Sequence, residues 1–336
     1  MKNKRHLMIV ITIGLLLALT LSFSVWALHS NLTLGKNKMP VSILLCGTDE
    51  SGANTDVMFI ACAEPNASKF SILQIPRDTL VKEEDRKTVK LNSLFASFLA
   101  DGMSRKQAAV ALKNKVSSLL GMKIDHVVIP TLDAVSALVD DLGGLRVSIP
   151  KAISYTDPTE GISMTLEAGE QTLNGRDAVA FLRYRSGYTR GDLGRMDAQK
   201  IFLAAVFSRF REGVGISFVS RAGKTLSKGG IYTDMSVTNA LTTGHRLLSG
   251  CKGELLLATL PGEAMYTEGT WYYIPHRAAA DKLLADNFSA FYQGSGSFDA
   301  ARNFSDPDNA DVMNAYETSD LYYRIYREKE LQNLSL

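Results

Sequence analysis

Between Leu7 and Leu28 the chain carries no charge, reading LMIVITIGLLLALTLSFSVWAL. As a helix this run rises about 33 Å at 1.5 Å per residue, enough for a hydrocarbon core of about 30 Å. Lys2, Lys4 and Arg5 precede it, so the positive-inside rule keeps residues 1–6 in the cytoplasm and sends the remainder outside. A cleaved signal peptide would have a shorter apolar region, about 7–15 residues, and a small-x-small cleavage site. Val25-Trp26-Ala27 is a poor site, and Trp26 suits a membrane interface. The reading is an uncleaved anchor at 7–28 and a polar tether at 29–40. It makes a single-pass protein of the cell membrane, with its bulk on the extracellular side.

That bulk is globular. Hydrophobic residues make up 46% of the 336-residue chain and charged residues 21%, which excludes general disorder and disulfide-scaffold classes. Removing Lys2, Lys4 and Arg5 from the 37 basic residues leaves 34 against 35 acidic ones. A domain so near neutrality has no global field for gripping nucleic acid, and any anion it binds must be held by a local cluster. Cys46, Cys62 and Cys251 show no zinc-type spacing. Cys46 and Cys62 can face each other across a hairpin, so one disulfide is an open alternative to three buried thiols.

Val41–Cys46, Val57–Ala63 and Phe70–Ile75 read as three strands with short connections, which implies local antiparallel pairing. Ser104 and Gln107 form a capping box before a helix that ends at Gly121. Asp125–Pro130 and Leu145–Ile149 read as strands flanking a helix over Asp133–Leu142, and Asn174 caps a helix through Leu182. An amphipathic helix covers Arg195–Arg211, and Ser236 caps another to about Leu248. Glu254–Leu260 and Trp271–Ile274 read as strands, and His276–Tyr292 as a closing helix. Strands interleaved with helices from 41 to 292 indicate one α/β domain around a mixed sheet. Residues 293–336 shift to Gly, Ser, Asp and Asn and read as a flexible tail, whose last stretch is either a helix or loose.

Three clusters could carry chemistry. Asp49 leaves the first strand and Asp56 enters the second, so a hairpin sets both carboxylates at one end of the sheet. Such a pair suits Mg²⁺, although turn formation alone also explains these residue types. Arg77 follows Pro76 at the end of the third strand, where it is otherwise an ordinary ion-pair partner of Asp78. The third cluster is the densest: Arg183, Arg185, Arg190, Asp192, Arg195 and Gln199. If 183–185 is extended, Arg183 and Arg185 share a face; Arg195 and Gln199 are one turn apart near a helix start. Arginine forks at a helix N-terminus suit phosphate, while a structural network with Asp177, Asp192 and Asp197 would look the same in sequence.

The segments ILLCGTDE, NTDVMFIA, ILQIPRDTLV, KLNSLF, GMKIDHVVIPTLDAVSALVDDLGGLRVSIP, LNGRDAVAFLRYR and GDLGRMDAQKIFL occur in that order behind the apolar run. In this the chain resembles the LytR-CpsA-Psr (LCP) proteins, strongly over residues 41–210 and weakly to about 290. The resemblance implies an α/β LCP domain with a central, mixed, largely antiparallel sheet flanked by helices, behind one N-terminal transmembrane helix. It implies a phosphotransferase of Gram-positive-type envelopes. Such an enzyme moves a glycopolymer, of the teichoic acid or capsule kind, from a polyprenyl-pyrophosphate carrier to a peptidoglycan sugar hydroxyl, forming a phosphodiester. Peptidoglycan and membrane lipid are then its partners, and nucleic acid is not.

Carried over by motif, Asp49 and Asp56 bind Mg²⁺ (or Mn²⁺), while Arg77, Arg183, Arg185 and Arg195 hold the pyrophosphate with Gln199 in support. Asp192 orients arginines or acts on the incoming hydroxyl, Lys90 and Asn92 brace the region, and the helix around Leu94–Leu99 is a candidate wall for the prenyl chain. Asn54 stands where family members commonly carry a basic residue. Two other functions use the same features: a Mg²⁺-dependent polyprenyl-pyrophosphate hydrolase, with water as acceptor, and a non-catalytic lipid-binding regulatory membrane protein.

Overall fold

The computed structural model describes residues 39–49, 51–82, 88–157, 162–184, 188, 192–213, 230–236, 239–240, 243–244, 246–247, 252–267, 269–297, 325–327 and 330. The apolar run 7–28 and nearly all of the tether lie outside these. Among the described residues no helix is long and apolar enough to cross a membrane.

Seven strands form one mixed sheet: β1 (Val41–Thr48), β2 (Thr55–Glu64), β3 (Lys69–Gln74), β6 (His126–Pro130), β11 (Ile231–Thr233), β12 (Glu254–Thr259) and β15 (Ile325–Arg327). Their order across the sheet is β11-β6-β1-β2-β3-β12-β15. The expected local pairing holds at the centre, where β1–β2 and β2–β3 are antiparallel. β6 joins β1 in parallel and β12 joins β3 in parallel, as crossovers through helices allow. The outermost strands, β11 and β15, pair antiparallel with β6 and β12. Small hairpins lie outside this sheet: β4 (Leu80–Lys82) with β5 (Thr88–Lys90), β8 (Ile153–Asp157) with β9 (Ile162–Leu166), and β13 (Gly262–Thr267) with β14 (Thr270–Pro275). β7 (Leu145–Ile149) and β10 (Gly169–Leu173) also pair antiparallel.

Alternation along the central strands sends side chains to two separate cores. Leu44, Cys46, Met58, Ile60 and Cys62 meet α1 (Leu94–Ala100), α2 (Arg105–Leu120) and α6 (Arg277–Asn287) on one face. Phe59, Ala61, Ile72, Leu255 and Leu257 meet α4 (Gly175–Arg183) and α5 (Asp192–Arg211) on the other, with Val139 of α3 (Leu132–Asp141) and the β7–β10 strands. The result is three layers with the sheet in the middle. The Ser104–Gln107 capping box is present, with Gly121 in the left-handed region at the far end of α2. Asn174 caps α4 by accepting from the Asp177 amide. A Cβ on Gly175 would lie 2.1 Å from the Ser136 carbonyl oxygen, so only glycine lets α4 dock this closely on α3.

Two open alternatives close, and the readings of two helices shift. Cys46 sits opposite Met58, and Cys62 opposite Ser42. The two cysteines therefore share a face but lie about four residues, or roughly 13 Å, apart along the strands, too far for a bridge. Both are free and buried, and burial pushes both thiols up. The helix around Leu94–Leu99 packs Leu94 and Phe95 into the α1/α2/α6 core. The closing helix starts after His276 as expected, its ring accepting from the Ala279 amide, but stops at Asn287. In the C-terminal stretch, 325–327 is a strand rather than a helix, and Tyr326 is buried against the second core.

Candidate functional site

The site begins where β1 and β2 part. Gly47 pairs with Val57 and Thr48 with Thr55, so the register slips by one and Asp56 has no partner of its own. Such a bulge twists the strand and re-aims the extra side chain. Asp49 lies just beyond β1 and closes the turn: its Oδ1 accepts from Ser51 Oγ (2.7 Å) and the amides of Ala53 (3.1 Å) and Asn54 (3.2 Å). Its Oδ2 accepts from Asn54 Nδ2 at 2.8 Å. Burial alone would raise the Asp49 carboxyl, but these hydrogen bonds outweigh it and hold it below the usual carboxylate range. Asn54 is thereby a brace for Asp49.

Behind Asp56 stands a ring of polar side chains. Arg77 Nη1 donates to Asp56 Oδ1 at 3.0 Å, and Asn92 Nδ2 reaches the same oxygen at 3.5 Å. Lys90 Nζ lies 3.0 Å from Asp78 Oδ1. The Asn92 amide donates to the Arg77 carbonyl (3.1 Å), which ties the KLN segment to the turn after β3. Arg77 and Asn92 therefore meet at Asp56, and Lys90 stands at Asp78 beside them.

On the other side of Asp56 a cavity of about 290 Å³ opens between the sheet and α3, α4 and α5. Its apolar wall includes Leu45, Val57, Val135, Val179, Leu182 and Leu203, all only half-buried because they face the opening. Its polar end holds Thr48, Asp49, Asp56, Arg183, Arg195 and Gln199. Leu94 and Phe95, in the helix expected as a wall, lie in the core on the opposite face of the sheet. Arg183 is the last residue of α4 rather than part of an extended triplet; the chain becomes extended at Tyr184. Arg185 and Arg190 lie outside the described residues. Asp192 is the first residue of α5, and its side chain also lies outside them. Gly194 is required there, since a Cβ would lie 2.5 Å from that of Tyr188.

Gln199 is held by a relay that the sequence does not announce. Gln74 Nε2 donates to the Met196 carbonyl and to Gln199 Oε1, both at 3.1 Å, while Thr259 Oγ1 donates to Gln74 Oε1 at 3.4 Å. A carbonyl can only accept, so Gln74 must present its nitrogen there and Gln199 its oxygen to Gln74. Gln199 is 2% exposed, and its amide nitrogen has no hydrogen-bond acceptor among the described residues, in the wall of the cavity. An unmatched buried donor costs about 1–3 kcal/mol, which an anionic oxygen placed beside it would recover. Gln74 and Thr259 were not among the expected site residues. The available signal was a glutamine buried at the end of the strand KFSILQ.

Asp49 and Asp56 fit a small hard cation as a two-carboxylate set. Mg²⁺ takes one or two carboxylates and completes its shell with water and substrate phosphates. Asp49 Oδ2 accepts one hydrogen bond and Asp56 Oδ2 none among the described residues, so each side chain keeps an oxygen for a ligand.

The LytR_cpsA_psr family model matches residues 22–288. The chain belongs to that family. One relative, "Polyisoprenyl-teichoic acid--peptidoglycan teichoic acid transferase TagU" of Oceanobacillus iheyensis, is 29% identical over 246 residues, covering 72% of this chain and 73% of the relative. The crystal structure of B. subtilis TagV aligns with a TM-score of 0.62 at 23% identity, covering 76% of this chain and 98% of that one. A structure described as TagT bound to LIIa-WTA aligns with a TM-score of 0.60 at 20% identity, over 75% and 91%. The α/β LCP fold, with its mixed central sheet flanked by helices, is the family's.

Proposed function

We propose that this LCP protein is a membrane-anchored extracellular phosphotransferase. It moves a glycopolymer from a polyprenyl-pyrophosphate carrier to a peptidoglycan sugar hydroxyl. The observation that carries this reading is the two-ended cavity, whose half-buried aliphatic wall runs into an end holding Arg183, Arg195, Gln199, Asp49 and Asp56. A prenyl diphosphate has the same two halves. The transferase name of the Oceanobacillus relative supports the reaction class. The uncharged run at 7–28, read as an anchor, would hold the domain beside a lipid-borne substrate and raise its effective concentration.

In this reading the acceptor hydroxyl oxygen bonds to the phosphorus that carries the glycopolymer. The bond from that phosphorus to the polyprenyl phosphate breaks, and the hydroxyl proton leaves to the medium. The protein's work is positioning and charge stabilisation, as phosphoryl transfer requires. Arg183 and Arg195 hold the diphosphate oxygens, with Arg185 and Asp192 joining from the neighbouring loop and helix start. The Gln199 amide donates to a further phosphate oxygen. Arg77 and Asn92 fix Asp56, Lys90 and Asp78 fix Arg77, and Leu182 and Leu203 seat the prenyl chain. Mg²⁺ (or Mn²⁺), held by Asp49 and Asp56, would neutralise charge developing on the diphosphate.

The test incubates the full chain in detergent with Mg²⁺, a short prenyl-pyrophosphate-linked saccharide and peptidoglycan oligomers, read by mass spectrometry. A phosphodiester-linked product, lost in Arg183→Ala, is expected. Free sugar phosphate without linkage would establish the hydrolase instead. Retention of the lipid with no turnover across donors would leave a binding protein.

A further inference from the structure

Two glutamines meet in the layer between the sheet and α5, and each is only 2% exposed: Gln74 and Gln199. Gln74 ends β3, and strand alternation turns it, like Ile72, toward the α4/α5 face. Its backbone is held on both sides, opposite Phe59 of β2 and Thr259 of β12. Its carbonyl accepts from the Leu260 amide at 2.8 Å.

Polarity passes through the pair in one direction. The Met196 carbonyl can only accept, so it takes one hydrogen of Gln74 Nε2. The other hydrogen of that nitrogen goes to Gln199 Oε1. Thr259 Oγ1 meets the remaining end, Gln74 Oε1. Turning the Gln199 amide over would set its nitrogen against the nitrogen of Gln74, donor to donor, and lose that bond. Gln199 lines the cavity and Gln74 does not. The Gln199 oxygen is therefore committed to the protein, while its Nε2 has no acceptor among the described residues. A partly matched buried network is less stable than an apolar pair in the same space, and such a local conflict is expected where a site is built for a ligand.

We propose that Gln74 is a positioning residue for the donor substrate: it fixes the Gln199 amide so that the nitrogen, not the oxygen, is available to a diphosphate oxygen. This rests on the prenyl-pyrophosphate reading above. The flipped amide would present a carbonyl oxygen to the same phosphate and repel it. One buried side chain on β3 thus decides whether Gln199 attracts or opposes an anion. The strand serves the site twice, through Gln74 at its end and through Arg77 beyond Pro76, which holds Asp56.

The test measures binding of geranylgeranyl diphosphate to the full chain in detergent with Mg²⁺, with geranylgeraniol as the uncharged control. Gln74→Met keeps an unbranched side chain and removes the amide. It should weaken the diphosphate about fivefold, the scale of one hydrogen bond, and leave the alcohol unmoved. Gln199→Leu should weaken the diphosphate about tenfold, the scale of a hydrogen bond to a charged group. Adding Gln74→Met to that variant should weaken it no further, because Gln74 acts through Gln199. An equal loss for the alcohol, no loss in Gln74→Met, or losses that multiply in the double variant overturns the proposal.

A measurement on the native residues decides the matter even where Gln74→Met fails to fold. In the chain labelled with nitrogen-15 at glutamine, the side-chain amide signals missing from Gln199→Leu belong to Gln199. They should shift on adding the diphosphate and not on adding the alcohol; bound diphosphate without that shift overturns the proposal. A native chain that binds no prenyl diphosphate refutes the carrier reading, and this inference with it. A chain that binds it with no response at Gln199 or to Gln74→Met refutes only the inference.

Discussion

On the face of the sheet covered by α1, α2 and α6, Phe95, Leu112, Val116, Leu283 and Phe288 are fully buried. On the face covered by α3, α4 and α5, Leu45, Val57, Leu182 and Leu203 pack against a core of comparable make-up but stay half-open around a cavity. The second face also buries Gln74, Arg195, Asp197, Gln199 and Lys200. Lys200 and Asp197 pair at 2.9 Å, and Lys200 lies 5.1 Å from the ring of Tyr326, which arrives on β15. One face spends its packing on stability, and the other gives some of it up for a lined opening with polar groups inside. Stability and ligand binding should then respond to different sides of one sheet.

The largest effect should come from the closed face. Phe95→Ala removes a fully buried ring and should destabilise the domain by about 3–5 kcal/mol in chemical denaturation. Leu203→Ala, a half-open wall residue, should cost well under half of that. Equal losses would erase the distinction between the faces. Next, Arg183→Ala should lower transfer by about 10²–10³-fold, the scale of losing one donor to developing charge, with the unfolding midpoint held.

Gln199→Leu sharpens the comparison further. It removes a buried donor that has no acceptor among the described residues together with the oxygen that accepts from Gln74 Nε2, which keeps its bond to the Met196 carbonyl, so stability should change by no more than about 1 kcal/mol. Transfer should fall about tenfold, equivalent to about 1.4 kcal/mol. A drop in stability with unchanged turnover would make Gln199 a packing residue.

The smallest effect concerns acid. Burial alone would raise Asp234, but hydrogen bonds from Lys113 and the Val127 amide, with the charges of Lys113 and His126, outweigh it and hold it low. Asp125 is likewise lowered by Lys123 and Ser42 against its burial. A carboxyl depressed in the folded state stabilises above its ordinary value, about pH 4, and that contribution fades as pH falls below it. Denaturation midpoints should therefore decline below about pH 4, and Asp234→Asn should flatten that decline. The loss falls on α2 and the β6–β11 edge, away from the cavity.

What the sequence alone determined was local. Near-continuous apolar runs marked β1, β2 and β3 as strands, and the structure buries both of their faces. Ser104 with Gln107, Asn174 and His276 set the starts of α2, α4 and α6 through contacts within three residues. Asp49 and Asp56 were legible as a pair because a tight hairpin leaves both carboxylates at one end. What tertiary structure decided depended on partners far along the chain. The Gln74–Gln199 hydrogen bond spans 125 positions and leaves one amide nitrogen in the cavity wall without an acceptor among the described residues. The register of β1 on β2 separated Cys46 from Cys62, and β15 completed the sheet edge from a stretch that reads as tail. The aliphatic wall came from α3, α4 and α5 rather than α1, because a helix's apolar stripe shows that it packs but not on which face of the sheet. Periodicity encodes burial, whereas layer, register and cavity arise only when separate elements compete for the same space.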